Sequence, residues 1–333
     1  MRNMLRKLAF AALGAFLLTG CEYKELCYDH SHVVDLQVNF DWSGVNNKAE
    51  ANPAGMSTYF FGGHEGELKS GRALIDNRYD ITGKDGGKIR IEWGRYDVLG
   101  LNYDTEAILF RGMDDPETFE AYTRASSLEE GTQIATKVSM PKASGTETLQ
   151  VVLEPDMLWA GMGDRFSVEM GENNASTTVH LEQRVIHFTV ILENVPNLNY
   201  TSQFGGSISG LAGGVKLASG ELSDDCVILP FPIRKEGTTT LVAEFNSFGH
   251  CPGKEEHNFE QHILTIYAIL ADGSKWYYTK DVSDQIHDPL QNPDQYNIIL
   301  EIEDLPVPKP IVNGSGFKPD IDGWDTEEIS VGM

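Results

Sequence analysis

The sequence predicts an all-β protein made of two tandem antiparallel β-sandwich domains, with helix confined to one short turn. Period-two alternation is the first reason. Val34, Leu36, Val38, Phe40 and Trp42 alternate with Asp35, Gln37, Asn39 and Asp41, the pattern of a strand with one buried face. Such runs then recur at short spacing without long amphipathic helices between them, which argues against a doubly wound α/β sheet. Finally, the chain has 333 residues, 41% hydrophobic and 10% aromatic, enough for packed cores and for two domains.

In chain order, residues 1–20 read as an export signal and 21–31 as a tether. Residues 32–160 read as the first sandwich, 161–304 as the second and 305–333 as a proline-containing acidic tail. After the opening strand, Ser57 to Phe61 is the next, closed by Gly62-Gly63. Lys88 to Trp93 and Arg95 to Leu101 are strands parted by Gly94, and Ala107 to Phe110 is a further apolar run. Asp115-Pro116 opens the expected helical turn: Asp115 suits the cap, Pro116 the first helical position, and Phe119 and Tyr122 then share a face. Alternation returns at Thr132 to Met140 and at Thr148 to Leu153, and a domain boundary is expected near Ala160 to Gly163.

Beyond it Phe166, Val168 and Met170 alternate. Val179 to Leu192 reads as one long strand, bulged at Gln183 to Arg184 where its facing set shifts. Ser207 to Leu211, Val227 to Phe231 and Thr239 to Phe245 are short strands, and His262 to Leu270, apolar on both faces, suits a central one. Asp272-Gly273 predicts a type I′ hairpin into Lys275 to Thr279, because that turn needs positive φ. Tyr296 to Ile302 is the last strand. Pro306, Pro308 and Pro310 then force an extended exit, since each withholds a ladder donor. The tail carries Asp320, Asp322, Trp324, Asp325, Glu327 and Glu328, and it is either without order or laid along the body with Trp324 as its anchor.

Leu18-Thr19-Gly20-Cys21 follows a basic start (Arg2, Arg6, Lys7) and an apolar run from Leu8 to Leu18. That run would rise about 16 Å as a helix against a hydrocarbon core of roughly 30 Å, so it does not span a bilayer. It has the layout of a secretory signal, ending on a cysteine where an ordinary signal has a small residue. The stretch resembles a bacterial lipobox, in which the cysteine sulfur receives a diacylglyceryl group and becomes the new, acylated N-terminus. Cys21 is therefore the expected lipidation site, and its acyl chains the contact with a lipid bilayer. The net charge of -24 falls to about -27 once the three basic residues of the signal are gone. Such a surface disfavours nucleic-acid binding and adhesion through a basic patch. Among the other cysteines, Cys226 and Cys251 lie within one expected domain and are the candidate disulfide, which leaves Cys27 as a buried thiol.

Candidate chemistry is sparse. Cys27, Asp29, His30 and His32 are zinc-ligand types crowded together, but no second spaced pair accompanies them. His250, Cys251, His257 and His262, with Glu255 and Glu256, match no finger or metalloprotease spacing and read as loop histidines beside the candidate disulfide. The acid pairs Asp114-Asp115, Asp224-Asp225 and Glu255-Glu256 sit in turn-like contexts and read as solvated loop charge. Gly205-Gly206 and Gly213-Gly214 read as turns rather than phosphate loops. The expectation is a non-catalytic protein with no cofactor and no metal.

Four stretches carry a family resemblance: Glu25 to His30 behind the lipobox, Gly94 to Glu106, Glu154 to Ala160, and Ile208 to Ala212. They resemble the Bacteroidetes-type fimbrillin-like lipoproteins, the group of FimB- and Mfa-type fimbrial anchor and accessory subunits. The resemblance implies transthyretin-like sandwiches and a place on the cell outer membrane, on its periplasmic or its surface face. It also implies other fimbrial subunits as partners, joined by strand addition. The proline-rich, acidic C-terminal segment would make a poor donor strand, with only Ile329 and Val331 at its end, so an accepting role is expected. The alternative is a surface lipoprotein that binds glycans, with Trp93, Trp159, Trp276, Tyr277 and Tyr278 as stacking platforms.

Overall fold

The computed structural model describes residues 33–49, 51–63, 77–252, 261–287, 294–310 and 323–328. Five strands open it: β1 (Val33–Gly44), β2 (Met56–Gly63), β3 (Arg78–Ile81), β4 (Gly86–Glu92) and β5 (Gly94–Asn102). The hairpin of β6 (Ile108–Arg111) and β7 (Glu120–Thr123) follows, then helix α1 (Leu128–Thr132) and the two-residue β8 (Gln150–Val151). The chain then returns to the first five strands with β9 (Trp159–Met162), β10 (Phe166–Val168) and β11 (Ala175–Gln183). The resulting eight-stranded sheet has the order β3-β2-β5-β9-β11-β1-β4, with β10 beside β5. Its end strands β3 and β4 touch, so the sheet curls over on itself.

Alternation explains what fills the curl. All five apolar positions of β1 are buried there, facing Met56 and Phe60 of β2 and Val98 of β5. The intervening residues of β2 and β5, Tyr59, Phe61, Leu99 and Leu101, point the other way and pack with Ile108, Phe119 and Ala121 of the β6–β7 hairpin. The centre of the sheet is therefore covered on both faces.

The second unit runs through β12 (Ile186–Glu193), β13 (Thr201–Ala212), β14 (Gly214–Lys216), β15 (Cys226–Pro232), β16 (Arg234–Glu236) and β17 (Thr240–Ser247). It continues through β18 (Ile263–Leu270), β19 (Lys275–Asp281), helix α2 (Ser283–His287), β20 (Asn297–Glu303) and β21 (Trp324–Glu328). A four-stranded sheet, β16-β17-β12-β20, packs against a six-stranded one, β21-β19-β18-β13-β15-β8. At the centre Phe245 stacks between Phe188 and Phe231, with centroids 5.1 and 4.3 Å away. Each ring, once buried, contributes about 1.5–3 kcal/mol. The outer face of the six-stranded sheet is also covered: Leu128, Ile134 and Met140 pack on Ile228 and Tyr267, and the Tyr267 hydroxyl donates to the Pro141 carbonyl at 2.7 Å.

Several local expectations give way to tertiary structure. Asp115 closes a turn rather than a helix, its carboxylate accepting from Glu117 N at 2.8 Å. The helix lies at Leu128–Thr132, where the Ser127 hydroxyl accepts from Glu130 N at 3.2 Å. Thr132 to Met140 is irregular rather than a strand, because Ile134 and Met140 pack onto the neighbouring sheet. Gly205 and Gly206 lie inside β13 instead of in a turn. A Cβ on Gly205 would come within 2.5 Å of Thr132, and one on Gly206 within 2.3 Å of the Phe231 ring. In the Asp272-Gly273 hairpin only Gly273 has positive φ (89°), so the turn is not type I′. A turn closed by Gly273 N on the Leu270 carbonyl, with Gly273 as the following left-handed residue, does the same work.

Strand pairing does not follow a division at 160/161. Strands β9, β10 and β11 all belong to the first sheet. The glycines near that point serve close approach: a Cβ on Gly161 would stand 1.8 Å from the His180 carbonyl oxygen, and one on Gly163 2.7 Å from that of Thr178. Val179 to Leu192 is two strands, and the shift at Gln183 to Arg184 is the passage from one sheet to the other. The described parts of the tail, residues 305–310 and β21, lie along the body. Strand β21 pairs in parallel with β19, and Trp324 meets Tyr267 edge to face at 5.6 Å. Asp320, Asp322, Ile329 and Val331 are outside the described residues.

Two outcomes follow from this packing. Gly161→Ala should cost at least about 2 kcal/mol in chemical denaturation, because the clash is with backbone and cannot relax by side-chain rotation. Trp324→Ala should raise amide hydrogen exchange across Lys275–Asp281 while leaving the β12 and β17 amides as protected as before.

Candidate functional site

The densest chemistry in the described residues lies at one end of the second sandwich, where β13 bulges. The register slips between Ser209 and Leu211, and Gly210 takes φ +80°. A side chain there would come within 2.5 Å of the Gln261 carbonyl oxygen and 3.0 Å of His262 Nδ1, so glycine at this bulge is what admits His262. The loop after β17 docks on the same bulge, with Cys251 N donating to the Gly210 carbonyl and Ala212 N to the Gly249 carbonyl, both at 2.9 Å. Cys226 on β15 and Cys251 are joined by a disulfide with Cα atoms 5.3 Å apart, which ties this loop down.

Three imidazoles meet here. His262 is 1% exposed, its backbone N donates to Ser283 Oγ at 2.8 Å, and its Nδ1 lies 3.2 Å from the Ser209 carbonyl. A carbonyl only accepts, so Nδ1 carries the proton and Nε2 presents its lone pair. That Nε2 lies 3.3 Å from His250 Nδ1. His287, the exposed last residue of α2, completes the group, with ring centroids 4.9 Å from His250 and 5.2 Å from His262. Burial, and behind it the charge of His287, lowers the His250 pKa to about 4. Burial and then His250 lower that of His262 to about 4, with the Ser209 carbonyl and Asp281 opposing. Both rings are thus neutral near pH 7 and offer nitrogen lone pairs.

The sequence pointed to His250, Cys251 and His262 but dismissed them on spacing, and it missed His287 altogether. The only available signal was a histidine just past the last strand of a hairpin that begins at His262. Cys21, Cys27, Asp29, His30, His32, Glu255, Glu256 and His257 lie outside the described residues. Asp114, Asp115, Asp224 and Asp225 are exposed. Of the five candidate glycan platforms, Trp159 and Tyr278 are buried (9% and 0%). Trp93, Trp276 and Tyr277 are half-buried against the cores.

An unfolded imidazole titrates near 6.5, whereas the folded pair titrates about 4. On acidification the unfolded chain therefore takes up protons first. The stability these rings contribute is complete above the unfolded value and is lost as pH falls from there toward the folded one. Thermal melts at pH 7, 5.5 and 4.5 should show a midpoint that drops with pH, and His262→Gln should flatten that slope.

Comparisons with known proteins agree with this architecture. A relative in Bacteroides ovatus named "Putative fimbrium anchoring subunit Fim4B" is 25% identical, with 98% of each chain covered. A crystal structure described as "a putative adhesin" from Bacteroides ovatus matches with TM-score 0.55 and 24% identity, over 88% of this chain and 98% of that one. The fimbrial anchor protein Mfa2 from Porphyromonas gingivalis matches with TM-score 0.45 and 14% identity, over 81% and 90%. The resemblance read from the sequence is borne out by the Bacteroides ovatus relative named as a fimbrium anchoring subunit. The family model described as "Domain of unknown function (DUF5119)" matches residues 20–232, well over half of the chain, and the chain belongs to that family.

Proposed function

We propose that this chain is a non-catalytic anchor or accessory subunit of a fimbrium, held at the outer membrane by acyl chains on Cys21. One observation carries the reading: the relative named as a fimbrium anchoring subunit is 25% identical over 98% of both chains. The family match begins at residue 20, immediately before Cys21, which supports reading residues 1–20 as a segment apart from the folded protein. Two or more acyl chains on one residue would make release from a bilayer negligible. Eleven residues separate Cys21 from β1, so the first sheet would lie within about 40 Å of the membrane.

Partners would be other fimbrial subunits, joined by strand addition. The disposition of the C-terminal segment supports an accepting role. Leu305 and Val307 are seated in the core of the second sandwich, Asn197 Nδ2 donates to the Val307 carbonyl at 2.7 Å, and β21 already pairs with β19. A segment committed to its own domain is a poor strand to offer another subunit. The glycan-binding alternative loses two of its platforms to burial.

Cys21→Ala expressed in the native host should yield a folded protein that leaves the membrane fraction. Electron micrographs should show detached fimbriae, with surface-attached fimbriae reduced by about tenfold or more once the stable two-chain anchor is lost. If attached fimbriae are unchanged in number and length, in this variant and in a strain without the chain, the reading fails.

A further inference from the structure

We propose that His250, His262 and His287 form a binding site for one divalent transition-metal ion, zinc in the first instance. The site is independent of the fimbrial reading, because it rests on geometry within the second sandwich alone.

One ring nitrogen from each of the three residues lies within 4.8 Å of the other two. They come from three separate segments: the disulfide-tied loop after β17, the entry to β18, and the end of α2. No sequence-local turn gathers them, so the fold itself does. His262 Nε2 and His250 Nδ1 are 3.3 Å apart. Two nitrogens bound to one zinc at about 2.0–2.1 Å, at a tetrahedral angle, stand about 3.3–3.4 Å apart. The two buried ligands are therefore already at coordination spacing, and His287, at the surface, has the rotamer freedom to close on the same ion.

The surroundings match what a metal ligand requires. The Nδ1–H of His262 donates to the Ser209 carbonyl at 3.2 Å, the outer contact that fixes a ligand's tautomer and aims its other nitrogen at the metal. The Ser283 hydroxyl and Val282 N hold the His262 backbone at 2.8 and 2.9 Å, so this ligand is set before any ion arrives. Metal binding moves the proton of His250 from Nδ1 to Nε2, and no proton is lost from the pair. Three imidazole ligands suit zinc, cobalt, nickel or copper and do not suit calcium or magnesium, which take oxygen ligands. Cys251 is held in the disulfide and is not a ligand. Three protein ligands leave a fourth position for water or for a side chain of a partner.

A bound ion would clamp the loop, the strand and the short helix together. The full-length protein, purified without a polyhistidine tag and stripped with EDTA, is titrated with ZnCl2 at pH 7.5 by calorimetry. It should bind one ion per chain with a Kd at or below about 10 µM, and His287→Ala should weaken binding at least ~10-fold. Because His287 is exposed, that variant should keep the metal-free melting midpoint. His262→Gln, which retains a donor for the Ser209 carbonyl, should also abolish the site, and if it fails to fold His287→Ala decides alone. Co2+ should give the visible absorption of a four-coordinate ion in the wild type and not in the variants. Absence of saturable zinc binding, or zinc binding that His287→Ala leaves unchanged, overturns the proposal.

Discussion

The passage from one sheet to the other at Arg184–Val185 is the constraint on which the rest of the molecule depends. In two residues the chain leaves β11, at the heart of the first sheet, and enters β12, at the heart of the second. Val185 is fully buried, in a cluster that joins Tyr59, Leu99 and Phe119 from the first half to Val215, Leu217 and Phe248 from the second. The Arg184 side chain is only 8% exposed, and its charge is met by Glu182 Oε2 at 2.7 Å. Gly220, at φ +74°, leaves the space it occupies, since a Cβ there would lie 2.5 Å from Nη1. Nearby, burial raises the Glu154 carboxyl above its ordinary range although Asn246 N donates to it. Taking the Arg184 guanidinium out of water is costly unless it is paired, and Glu182 supplies that partner.

That junction is buttressed by exchange of segments. Strand β14, from the second half, pairs with β7 of the first, and β8, from the first half, pairs with β15 of the second. Helix α1 and the chain after it lie on the outer face of the second unit's sheet. An apolar junction with interleaved strands resists relative motion far better than a hinge. Under the proposed anchoring role, load would pass through paired strands and not through a linker.

The second sandwich also absorbs its own C-terminal segment. Residues 305–310 run extended, as their prolines require, yet Leu305 and Val307 are buried and the Tyr278 hydroxyl donates to the Pro306 carbonyl at 3.3 Å. Parallel pairing of β21 then covers the outer edge of β19, an edge that would otherwise present unpaired donors and acceptors to other chains. Where β18 begins, the disulfide and the β13 bulge hold three histidines in one small volume. Both devices stabilise the ends of the sandwich, where strands fray first.

Alternation in the sequence alone determined the all-β class and most strands, because a half-buried strand writes its period into local composition. The five apolar residues of β1 and the double-sided run of β18 were legible for that reason. The S-x-x-E signal at Ser127 was legible too, but it went unread beside Asp115-Pro116. What only the tertiary structure decided is where strands change sheets and which distant side chains meet. Glycines at 161, 163, 205 and 206 look like breaks in a sequence, and their actual role is to let one backbone or ring approach another. Likewise His250, His262 and His287 share no spacing, since their proximity is produced by a bulge, a disulfide and a hairpin together. Local pattern records burial, which each residue feels by itself, whereas contacts across the fold leave no local mark.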